Sequence, residues 1–229
     1  MPTSPFSWSR SRWSSRSRCW SRLQLPRPEG DVVWIHAASV GEFKSANFLI
    51  NLLCKNYTIL VTTTTLSAAN FASKNYTDKI IHQFAPLDIS FWVEKFLNKW
   101  RPKLVIWIES DLWPMTMELL KQKSIKSLLV NVRMSPQSYQ KWKMVKFFYK
   151  QMTECFSEII AQSQLDKKRL EFLTQREIKF IGNLKLSSIE KLNDKIEYKE
   201  LQKKIIGYKI VMFASTHDGE ERIFLRTIK

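Results

Sequence analysis

Five places in this 229-residue chain set reactive side chains directly after an apolar run. VVWIHAASVGE ends in Glu42. IWIESDLWP carries Glu109 and Asp111, and VNVRMSPQS carries Asn131, Arg133 and Ser135. FIGNLKLS carries Gly182, Asn183 and Lys185, and ASTHDGEE carries Ser215, Thr216 and His217. Carboxylates at such positions can take a proton, and cations can meet an anionic group as charge develops on it. Each cluster also has an ordinary explanation. A polar residue after a strand commonly makes a turn or cap, and a Glu at a helix start favours the helix dipole. Recurrence decides more than any one cluster: if the first four lie at one edge of one sheet, carboxylates, an Arg and a Lys surround a single cleft.

Alternating strands and helices are what would place them there. VVWIHAAS, TILVTTTT, KIIHQFAP, KLVIWIE, SLLVNVR, EIIAQS and IKFIGN read as strands. Between them lie helical patterns in FKSANFLINLLCKN, LSAANFASKN, SFWVEKFLNKW and MTMELLKQK, over residues 139–155, and in a segment running to Leu173. β-branched runs separated by helices of about 10–15 residues predict parallel βαβ units in a doubly wound α/β sheet. Ligands bind such sheets at the carboxyl ends of the strands. Thr62 to Thr65 resemble a phosphate loop but lack its glycines and lysine, so they are expected to end a strand and cap a helix. His36 is expected to be a satisfied core residue, whereas His217 stands at a strand–helix turn.

The flanks differ from this body. Residues 1–30 are rich in Ser, Arg and Trp, and from Asp31 onward Lys, Ile, Asn and Phe dominate. That switch from GC-rich to AT-rich codon usage raises a frameshift, fusion or misplaced start. The segment is expected to be disordered, or else to lay Trp8, Trp13 and Trp20 on an anionic membrane through Arg10, Arg12, Arg16 and Arg18. The expected divisions are 1–30, a Rossmann-like domain over 31–186, a charged linker and helix over 187–206, and the first strand and helix of a further domain over 207–229.

Composition excludes several classes. A net charge of +16 and a pI near 9.8 favour anionic partners without choosing among them. Three separated cysteines and three scattered histidines suggest neither a disulfide framework nor a metal site. No apolar run approaches the ~18 residues of a membrane helix, and no nucleic-acid-binding motif accompanies the charge.

The motifs together resemble a known family. WIHAASVGE, the Pro86–Asp88 element, ESDLWP, NVRMS, AQS, GNLK and STHDGEE follow the order and spacing of the 3-deoxy-D-manno-octulosonic acid (Kdo) transferases of lipopolysaccharide synthesis. The similarity covers about residues 31–222. It implies the N-terminal, acceptor-binding half of a GT-B glycosyltransferase at the cytoplasmic face of the bacterial inner membrane. The implied reaction is inverting, metal-independent transfer of Kdo from CMP-Kdo to a lipid A precursor, with no cofactor. By the resemblance Glu42 is the general base, and Glu109 and Lys185 stabilise the transition state. The expected substrate contacts are Ser39, Gly41, Arg133, Ser135, Asn183, Ser215, Thr216 and His217.

The sequence departs from the family in places. Asp111 stands where Glu is common, Met115 where Asn is common, and an apolar anchor is replaced by the Ser/Arg/Trp segment. The Pro-Arg and Gly-Gly-His-Asn elements that hold the nucleotide are missing. An incomplete CMP-Kdo site is therefore expected, with a separately encoded C-terminal half as a partner. A non-catalytic remnant of a split gene and a basic module for anionic surfaces are the alternatives.

Overall fold

The computed structural model describes residues 27–76, 79–109, 111–182, 184, 202–211 and 219–227. The chain divides into two compact units, Met1–Ser188 and Ile189–Lys229.

In the first unit seven parallel strands form one sheet in the order β3-β2-β1-β4-β5-β6-β7. They are β1 (Val32–His36), β2 (Thr58–Thr63), β3 (Ile81–Phe84), β4 (Leu104–Ile108), β5 (Ser127–Val132), β6 (Phe156–Ala161) and β7 (Lys179–Phe180). The helices are α1 (Val40–Leu53), α2 (Leu66–Asn75), α3 (Ser90–Trp100), α4 (Pro114–Gln122), α5 (Pro136–Met144), α6 (Lys146–Thr153) and α7 (Gln164–Thr174). This is the doubly wound α/β sheet that the alternating pattern predicts.

Both faces of the central strands are covered, which is why these strands read as unbroken apolar runs. Side chains alternate: Val32 and Trp34 of β1 join one buried cluster, Val33 and Ile35 the other. Helices α1 and α2 supply Phe43, Ala46, Ile50 and Ala72 to the second cluster. Helices α3, α4, α6 and α7 cover the first. In α3, Val93, Phe96, Leu97 and Trp100 recur at the spacing of one helical face and are all buried. Burying each stabilises the fold by roughly 1.5–3 kcal/mol.

The two-sided covering creates the site. The chain leaves β1 toward one face and leaves its neighbour β4 toward the other. At such a switch point the strand ends diverge and open a crevice.

One expected element differs. The helical pattern over 139–155 is two helices, α5 and α6, broken at Val145 (φ −121°, ψ 39°). In one continuous helix Trp142 and Tyr149 would be separated by about 10 Å of rise. The break brings their rings to 5.0 Å and lets α6 bury Tyr149, Met152 and Thr153.

In the second unit residues 202–205 are helical, and a helix α8 spans Glu220–Thr227. Residues 208–211 have no regular secondary structure, and the rest of the strand expected to start there lies outside the described residues.

Candidate active site

The β1–α1 junction folds as a local unit. Ser39 is the N-cap of α1, and its Oγ accepts the Glu42 N–H (3.3 Å). Glu42 reaches back: Oε2 accepts the Ala38 N–H (2.7 Å) and Oε1 accepts the Ser39 hydroxyl (3.1 Å). Ser-x-x-Glu is the capping-box pattern, with the carboxylate shifted by one peptide onto Ala38. The capping explanation of Glu42 is therefore realised.

It does not exhaust the carboxylate. Glu42 is only 8% exposed, and its pKa is raised above the usual carboxylate value. Burial is the largest cause, and the charges of Glu109 and Asp111 add to it, while the Ala38 and Ser39 hydrogen bonds oppose it. Burial and the neighbouring charges thus outweigh the two hydrogen bonds. A carboxylate that holds a proton more readily than a free one is the better proton acceptor. Gly41 keeps the approach open: a Cβ there would meet only Ser39 Oγ, at 3.8 Å.

Across the crevice, Glu109 follows β4 in the left-handed region (φ +64°), and its N–H donates to Val130 O (2.9 Å). On β5, Asn131 is also left-handed (φ +60°) and buried. Each such non-glycine residue costs about 1–2 kcal/mol, and this cost is carried at two adjacent strand ends. Asn131 Oδ1 accepts the N–H of Leu184 (3.3 Å). Asn183, Lys185, Ser215, Thr216 and His217 themselves lie outside the described residues.

Two aspartates from distant segments hold this edge. Helix α4 begins with Pro114 after an N-cap, Trp113, that makes no capping bond. Asp88, in the β3–α3 loop, caps it instead. It accepts the Met115 N–H (3.1 Å), the Thr116 N–H (2.7 Å) and the Thr116 hydroxyl (2.7 Å). On α7, buried Asp166 accepts the Met134 N–H (2.8 Å), and Arg169 donates to Met134 O (2.6 Å). That clamp grips the peptide beside Arg133. Neither aspartate was expected at the site from sequence. Asp88 lies in the Pro86–Asp88 element, and Asp166 closes a legible Ser163-x-x-Asp pattern.

A cavity of about 370 Å³ opens here, lined by Asp111, Trp113, Arg133, Ser138 and Trp142 among others. Ser135 caps α5 by accepting the Ser138 N–H (3.0 Å). A larger cavity, about 490 Å³, is lined by Val33, Leu104 and Leu128. It sits near the amino ends of the strands, away from the crevice where such folds bind ligands.

Aromatic rings floor the crevice. His36 is fully buried, stacked on Trp107 (4.0 Å) and edge-on to Trp113 (4.7 Å). Its Nδ1 shares a hydrogen bond with Thr62 Oγ1 (2.9 Å), which also accepts from Trp34 Nε1 (2.8 Å). Burial lowers its pKa to about 3, so the ring is neutral. Its Nε2 has no partner among the described residues, so the expected satisfied core histidine is only half satisfied. Thr65 caps α2 as expected, by accepting the Ala68 N–H. Among the described residues, no group of His, Cys, Asp and Glu is arranged to hold a metal.

A family profile described as "3-Deoxy-D-manno-octulosonic-acid transferase (kdotransferase)" matches residues 11–188. The chain belongs to the Kdo transferase family. The match begins at residue 11, so the similarity extends into the Ser/Arg/Trp segment that composition alone had set apart. The 3-deoxy-D-manno-octulosonic acid transferase of Rickettsia bellii is 37% identical over 86% of this chain and 48% of its own length. That of Haemophilus influenzae is 31% identical over 95% of this chain and 52% of its own. The chain thus spans about half the length of the curated relatives it matches. Among solved structures, a UDP-N-acetylglucosamine 2-epimerase from Rickettsia bellii superposes with a TM-score of 0.53 at 14% identity, over 76% of this chain and 51% of its own. That likeness supports the Rossmann-like fold expected of one half of a GT-B architecture.

Proposed function

We propose that this chain is the acceptor-binding half of an enzyme that transfers Kdo from CMP-Kdo to a lipid A precursor. The observation that carries the reading is the buried Glu42 carboxylate, held at the sheet's switch point opposite Glu109 and Asp111 with its pKa raised. A sugar hydroxyl is a poor nucleophile until a positioned base takes its proton. Glu42 takes that proton as the acceptor oxygen bonds to the anomeric carbon of Kdo from the face opposite CMP. The bond to the CMP phosphate breaks, and its electron pair leaves with the phosphate. Lys185 meets that departing anion, and Glu109 faces the positive charge building on the sugar. No step calls for a metal or cofactor.

Arg133, beside the cavity, suits the phosphates of the acceptor. Ser39, Gly41, Ser135 and Asn183 are assigned to the acceptor, and Ser215, Thr216 and His217 to the donor. CMP-Kdo recognition is assigned to a second half, for which relatives of about twice this length have room. Among the described residues no helix is long and apolar enough to cross a membrane. The enzyme is read as peripheral, at the anionic cytoplasmic face of the inner membrane where its acceptor resides.

The test is Kdo transfer from CMP-Kdo to a tetraacyl lipid A precursor. It uses the purified chain alone and the chain supplied with the C-terminal half of a relative, each with a Glu42→Ala control. Transfer only in the complemented mixture, lost in the control, is expected. Transfer by 229 residues alone would remove the need for a second half. A folded, complemented chain that is inactive, or a control that stays active, would overturn the reading.

A further inference from the structure

We infer that the α5–α6 turn is a docking surface for an anionic lipid bilayer, placed beside the acceptor cavity. The inference rests on the reading that the acceptor is a membrane lipid, and it specifies where the membrane meets the protein.

Three observations carry it. First, the turn exposes large apolar side chains that a folded domain ordinarily covers: Met144 is 81% exposed and Phe147 80%, with Val145 and Phe148 also exposed. The break at Val145 causes this. Helix α5 buries none of its residues, and α6 turns Tyr149 and Met152 inward, leaving Phe147 and Phe148 outward. Second, the sequence around the turn is strongly basic. From Leu119 to Thr153 the chain carries eight Lys and Arg residues and no Asp or Glu. Lys143 and Lys146 lie over the half-exposed ring of Phe172 on α7, with Lys146 Nζ 4.2 Å from its centroid. Third, the patch adjoins the cavity. Trp142 lines the cavity, and its ring lies 5.0 Å from Tyr149, next in sequence to Phe148.

Exposed aromatic and aliphatic side chains among lysines match the interface of an anionic bilayer. The apolar groups enter the acyl boundary and the lysines meet the headgroups. A second copy of this chain is a poor occupant, because the patch would face its own positive charge. A bilayer at this turn would bring a lipid-anchored sugar to Arg133 and the cavity without extraction from the membrane.

The full chain is tested by co-sedimentation with phosphatidylcholine vesicles, with and without phosphatidylglycerol. Transfer activity plays no part in the readout, so this inference and the proposed function fail separately. The variants are Met144→Ser/Phe147→Ser and Lys143→Glu/Lys146→Glu. A charge-matched control, Lys55→Glu/Lys74→Glu, lies just after α1 and on α2, helices that cover the opposite face of the sheet. The parent is expected to bind the phosphatidylglycerol vesicles, and each patch variant to bind them about tenfold or more weakly. Salt should bring the parent down toward the lysine variant, and the control should change little. Met144 and Phe147 are so exposed that their loss is expected to leave the fold intact, to be checked by circular dichroism.

The inference is overturned if the parent ignores anionic vesicles, or if the patch variants bind like the parent. It is overturned if Trp8→Ser/Trp13→Ser/Trp20→Ser abolishes binding while the patch variants retain it. It also falls if the patch variants only dissociate a dimer in sedimentation analysis.

Discussion

Helices α1 and α4 begin on opposite sides of one crevice and are capped in opposite ways. Helix α1 caps itself: Ser39 and Glu42, three residues apart, satisfy the amides at its start. Helix α4 has no capping side chain of its own and takes Asp88, from another βα loop, onto Met115 and Thr116. The self-capped start carries the proposed base, whereas the cross-capped start fixes the loop of Glu109 and Asp111. One half of the crevice is therefore set by local sequence and the other by the packing of α3 against α4.

Substitutions can break that comparison at either end. The largest effect is expected from Glu42→Gln, which keeps the acceptor for the Ala38 N–H but cannot take a proton. Transfer in the complemented enzyme should fall by about 10²–10⁴-fold, with no loss of melting temperature. The linkage has a definite sign. Because the folded Glu42 has a raised pKa, the native state binds the proton more tightly than the unfolded chain. Its contribution to stability is therefore present at low pH. It declines as pH rises from the ordinary carboxylate range through the folded pKa. Denaturant titrations across that range should show this decline in the parent and its absence in Glu42→Gln.

Next in size is Asp88→Ala, which strips three hydrogen bonds from the start of α4. About 1–2 kcal/mol of stability should be lost, and transfer should fall although Asp88 touches no reacting atom. Ser39→Ala should cost about 1 kcal/mol and release one of the two hydrogen bonds on Glu42. If Asp88→Ala were silent in both stability and transfer, the cross-capped half of the comparison would be wrong.

The smallest effect on the fold is expected from Gly41→Ala. The new methyl meets only Ser39 Oγ at 3.8 Å, and alanine is favoured over glycine in a helix by up to about 1 kcal/mol. Stability should hold or rise slightly while transfer falls, because the methyl stands where the acceptor approaches Glu42. A fall in both would make Gly41 a structural residue.

Much of this was legible from the chain itself. Alternating apolar runs and helical spacings determined a parallel α/β sheet, because each strand is buried on both faces and each helix on one. Glu42 was placed at a helix start, and Glu109 and Arg133 were placed at strand ends. The break at Val145 was not legible, because no glycine or proline marks it; it arises when Tyr149 and Met152 seek the sheet. Nor were the roles of Asp88, Asp166 and Asn131, whose hydrogen bonds span 27 to 53 residues of sequence. The raised pKa of Glu42 was not legible either, for the same reason. Its local hydrogen bonds to Ala38 and Ser39 point down, and only the burial and neighbouring carboxylates of the folded crevice turn it up. Local pattern determines which elements form and where each begins. Tertiary structure alone decides which side chains from distant segments share a crevice, and therefore which charges and hydrogen bonds each one feels.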